Sequence, residues 1–71
     1  MIQEVIVLYK SGKLFQIYAH EADALCDKGR LTEKGYKDVR LQRVQVQYKE
    51  RVCAPLSIEH IEALRQCVER T

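Results

Sequence analysis

The side chains best suited to chemistry are three thiols and two imidazoles: Cys26, Cys53, Cys67, His20 and His60. Structural zinc takes paired ligands on tight spacings, so that one turn of chain supplies two bonds. No C-x-x-C pair is present. Along a helix His20 and Cys26 lie about 9 Å apart, and His60 and Cys67 about 10.5 Å, too far for one ion. A nucleophilic cysteine needs a histidine within reach and a mouth for substrate. His20 opens a helix with Cys26 six residues on, off its face, and His60 falls in a helical first turn, where a cation is disfavoured. No glycine-rich phosphate loop, nucleophile elbow or H-E-x-x-H motif occurs. Glu59 and Glu62 read as an exposed helix face. Cys26 and Cys67 read as small apolar core filler. No catalytic residue, metal or cofactor is expected, and the chain reads as non-enzymatic.

A second constellation is electrostatic. Residues 28–51 carry eight Lys or Arg against Glu33, Asp38 and Glu50, for a net +5, whereas the whole chain is only +2. Lys34, Lys37, Arg40, Arg43, Lys49 and Arg51 are candidate phosphate contacts, with Tyr36 and Tyr48 nearby to stack on unpaired bases. The competing reading is a solvated edge strand whose charges deter aggregation. Overall charge is below that of dedicated nucleic-acid binders. Nucleic-acid binding is therefore the alternative function.

The elements that would position these groups form a single domain over residues 1–71. A chain of this length is small for a self-sufficient core and often borrows stability from a partner. An odd cysteine count fits reduced thiols in a cytoplasm better than a disulfide framework. The start, MIQEVIVLYK, lacks the basic opening of a signal peptide, and no run approaches the ~20 apolar residues of a membrane span. A cytoplasmic protein without a membrane segment is expected.

Ile2 to Tyr9 is apolar at both parities, as in a central strand covered on both faces. A turn at Lys10–Lys13 leads to a second strand, Leu14 to Ala19. A two-residue Ser11-Gly12 turn would pair Lys10 with Lys13 and group Ile6, Leu8, Phe15, Ile17 and Ala19. A glycine bulge would pair Tyr9 with Lys13 and group Val5, Val7 and Tyr9 with Phe15, Ile17 and Ala19 instead. His20 to Lys28 predicts a short helix with Ala22, Leu25 and Cys26 inward, stopped at Gly29. Arg30 to Asp38 is a polar connection, in which Thr32 could cap one further turn. Its LTEKG, Leu31 to Gly35, resembles a stretch of winged-helix regulators, whose order of elements the chain does not follow.

Val39 to Val52 is the third strand. Its apolar residues change parity between Leu41 and Val44, and a bulge at Gln42-Arg43 would return them to one face. Ser57 predicts an N-cap for a helix over Ile58 to Arg70. Leu56 and Ile61 would form its staple, and Ile58, Ile61, Leu64, Cys67 and Val68 its apolar face. The fold class is α+β, ββαβα, a three-stranded antiparallel sheet in order 2-1-3 with both helices on one face. The uncovered face would then display Leu14 and Tyr18 with Val5, Val7 and Tyr9 or, in the other register, Ile6 and Leu8, and with Gln16, Gln45 and Gln47 among them; Val5, Val7, Tyr9, Leu14 and Tyr18 are the candidate interface. Such a patch marks an interaction site; the competing reading is that one helix crosses to cover this face, or that the patch stays small. The expected function is a small binding protein, an adaptor, inhibitor or regulatory subunit, acting through that surface as a homodimer and on an unidentified protein.

Overall fold

The computed structural model describes residues 1–70. The elements run β1 (Ile2–Lys10), β2 (Lys13–Tyr18), α1 (Glu21–Glu33), β3 (Val39–Gln47) and α2 (Ile58–Glu69). The sheet is antiparallel with order β2-β1-β3, so the architecture is ββαβα with the doubly apolar strand in the centre.

The helices do not share a face. Val5, Val7, Ile17, Val46 and Val52 pack in one core with Leu64 and Val68 of α2. Ile6 and Leu8 point the other way, because side chains alternate along a strand, and they are buried beneath α1 with Ala24 and Leu31. Tyr18, paired with Ile6, donates its hydroxyl to Asp27 of α1 at 2.6 Å, which fixes that helix to the Ile6 side. The result is three layers, α1, sheet and α2. One helix per face hides both apolar sides of β1, which two helices on one face would leave half exposed.

Strand register accounts for the parities. β3 pairs with β1 without interruption from Ile2–Gln47 to Lys10–Val39, so the expected bulge at Gln42-Arg43 is absent. Leu41 therefore faces α1 while Val44 and Val46 face α2. Each helix needs apolar contacts from β3, and the change of parity supplies both sides. The irregularity lies instead in the hairpin. Ser11 and Gly12 both have positive φ and pair Lys10 with Lys13, but the ladder shifts between Leu8 and Tyr9, leaving Phe15 unpaired. Leu14 and Ile17 thereby both pack on the α2 side, whereas strict alternation would separate them.

α1 runs past Gly29 to a Schellman end. Gly35 has φ of +100° and donates its N–H to the Thr32 carbonyl at 3.0 Å, and Tyr36 N–H reaches the Leu31 carbonyl at 3.2 Å. A helical glycine costs about 1 kcal/mol, and burying Leu31 beyond it returns more. The inner stripe is accordingly Ala24, Asp27 and Leu31; Ala22, Leu25 and Cys26 face solvent. Thr32 Oγ1 donates back to the Lys28 carbonyl instead of capping a new turn. At α2, Ser57 Oγ accepts the His60 N–H at 3.1 Å as the cap requires. Ile58 is 75% exposed, so the apolar face begins one turn later.

Candidate functional site

The residues expected to form an exposed apolar surface do not form one. Val5 and Val7 have no exposed surface, and Tyr9 and Leu14 are half-buried against the core beneath α2. Tyr18 lies on the opposite side of the sheet, under α1. Burial and the Asp27 carboxylate it bonds push its phenol ionisation well up. The face read as free is the seat of α2.

The basic residues are scattered as well. Arg40 and Arg43 project from opposite faces of β3, since no bulge intervenes. Arg40 Nε donates to Asp38 at 3.0 Å. Arg43 bridges Glu21 of α1 and Glu4 of β1, the latter at 3.7 Å. Lys34 caps α1 and Lys37 precedes β3, while Lys49 and Arg51 lie beyond its other end, about 30 Å of strand away. The six do not line up into a continuous basic stripe.

Nor do the reactive residues converge. Cys26 and Cys53 are exposed and Cys67 is half-buried against the α2 core. His60 lies 3.2 Å from Glu50 and edge-on to Tyr48. Among the described residues no cluster of three or more His, Cys, Asp or Glu is placed to hold a metal ion.

What the fold does present is the outer edge of β3. Met1 and Tyr48 exchange both backbone hydrogen bonds, at 2.7 and 2.9 Å. In an antiparallel ladder such pairs recur at every second residue, so the even-numbered residues of β3 bond inward to β1. The N–H and C=O groups of Val39, Leu41, Arg43, Gln45 and Gln47 consequently point outward, where no further strand lies among the described residues. The far end of this row is touched by the Cys67 thiol, which donates to the Gln47 carbonyl at 3.8 Å.

Two hollows flank this edge, and Leu41 and Gln42 line both. The larger, about 460 Å³, is bounded by Tyr9, Gly12, Asp38 and Arg40. The smaller, about 220 Å³, adds Ile6, Glu21 and Arg43 on the α1 side. β2, the other edge, is six residues long, opens on Lys13 and is interrupted at Phe15. Short length, lysine and a bulge are the means by which proteins blunt an edge. β3 has neither a break nor a proline over nine residues, and carboxylates of its own chain neutralise both its arginines. Sequence reasoning treated those arginines as guards of the edge; the available signal was a nine-residue stretch, VRLQRVQVQ, without glycine or proline.

Comparison with family models, curated proteins and solved structures finds no match for this chain.

Proposed function

We propose that the protein is a small non-enzymatic binding module, an adaptor, inhibitor or regulatory subunit, that docks by strand addition at the open edge of β3. The observation that carries this reading is the contrast between the two edges of the sheet. An exposed row of backbone donors and acceptors is a template for another strand. Main-chain bonds supply the affinity, and the hollows either side of Leu41 and Gln42 receive alternate side chains of the incoming segment. Thiols left free on the surface suit a reducing cytoplasm. Arg40 and Arg43, each satisfied within the chain, keep the edge soluble without closing it.

The test is photocrosslinking in the native cell, with a photoreactive residue at Gln45 on β3 or at Gln16 on β2. Adducts from Gln45 and not from Gln16 are expected. Equal labelling from the two edges, or none from Gln45, rejects the reading.

A further inference from the structure

We infer that the strand taken up at this edge is β3 of a second copy, running antiparallel about a two-fold axis through Gln42. The inference rests on the strand-addition reading and names its partner. Directly opposed residues in an antiparallel pair share a face, so a symmetric pairing along this strand centres on a single residue, and three centres keep most of the strand overlapped.

A centre at Arg43 sets the two Arg43 side chains against each other, and like charges directly opposed are unfavourable. A centre at Val44 brings Leu41 against Gln47, whose carbonyl already receives the Cys67 thiol under the end of α2. A centre at Gln42 meets neither obstacle. It uses the outward groups of Val39, Leu41, Arg43 and Gln45, pairing Leu41 with Arg43 and Val39 with Gln45 on each side of the axis, and leaves Gln47 to Cys67. The facing side chains are then Gln42 with Gln42 and Arg40 with Val44, with no like charges opposed.

The hollows agree with this centre. Both lie at Leu41 and Gln42, on opposite faces of the sheet. Arg43 of the second copy arrives beside Leu41, at the rim of the smaller hollow, which Glu21 and the Arg43 already paired with it also line. A net charge of +2 per chain opposes association little. The product is a continuous sheet of both copies' strands, with α1 helices on one face and α2 helices on the other.

Sedimentation equilibrium of the purified chain from micromolar to near-millimolar concentration should show a reversible monomer–dimer equilibrium. Gln42→Cys, air-oxidised, should give a disulfide between the two introduced thiols by peptide mass mapping, because opposed non-hydrogen-bonded residues have Cα atoms about 4.5 Å apart, within disulfide range. Val44→Cys, treated alike, should not self-link. Gln45→Pro removes an outward N–H that the monomer does not use, and should weaken dimerisation by about tenfold or more. A monomer at every concentration, or preferential linkage through position 44, overturns the inference. If the purified chain stays monomeric while the Gln45 photocrosslink captures a different protein, self-pairing fails and strand addition stands. If both experiments fail, both readings fall.

Discussion

Gln3 and Val52, 49 residues apart in sequence, are joined by a buried hydrogen bond: the Gln3 side-chain oxygen accepts the Val52 N–H at 3.0 Å. The same amide donates through Nε2 to the Glu50 carbonyl at 2.7 Å. One glutamine thus holds the segment that leaves β3 and turns towards α2.

Replacing Gln3 by Leu leaves a buried N–H and a carbonyl without partners. A loss of about 2–4 kcal/mol is expected, because unsatisfied buried groups cost more than a hydrogen bond contributes. Urea unfolding measures it. A change below about 0.5 kcal/mol would show that water replaces the amide.

The Tyr18–Asp27 bond predicts a response to alkali. Its folded-state ionisation lies above the ordinary phenol value near 10. Stability from this group is therefore complete below about pH 10, and is lost as pH rises from there towards the raised folded value. The urea midpoint of the native chain should fall above about pH 10, and that of Tyr18→Phe should fall less steeply. Spectroscopic titration should show a tyrosine ionising above the ordinary phenol range that Tyr18→Phe abolishes. Identical pH profiles for the two proteins would count against the bond.

On α2, Leu64 has no exposed surface whereas Ile58 is 75% exposed. Leu64→Ala should cost about 2–5 kcal/mol, and Ile58→Ala less than about 0.5 kcal/mol. A comparable loss from both would mean that α2 packs from its first turn. Val7→Glu should unfold the chain, since Val7 lies inside the same core. Retention of native circular dichroism by that variant contradicts the burial.

Lys10 stands over both the Phe15 and Tyr36 rings, its ammonium 4.9 and 4.6 Å from their centres. The contact ties the bulged hairpin to the end of α1. A double-mutant cycle of Lys10→Met with Tyr36→Leu should give a coupling of about 0.5–1 kcal/mol. A coupling indistinguishable from zero removes the tie.

Short-range chemistry was legible in the sequence. The order ββαβα, β1 as the central strand and the Ser57 cap each follow from neighbouring residues, through side-chain alternation, capping and turn geometry. A hairpin turn at Lys10–Lys13 was legible in the same way, although either of two registers satisfied it. Placement that depends on contacts far apart in sequence was not. The bulge lies at Phe15 and not at Gln42-Arg43, because Leu14 and Ile17 must both reach the α2 core. α1 continues through Gly29 because Leu31 finds a buried seat that no local rule contains. Val5 and Val7 are core, and not a docking surface, because Leu64 and Val68 of α2, distant in sequence, pack over them. The open edge of β3 was likewise decided by tertiary structure, since a strand's outer hydrogen-bonding row is left for a partner only where, as among the described residues here, no other strand arrives beside it.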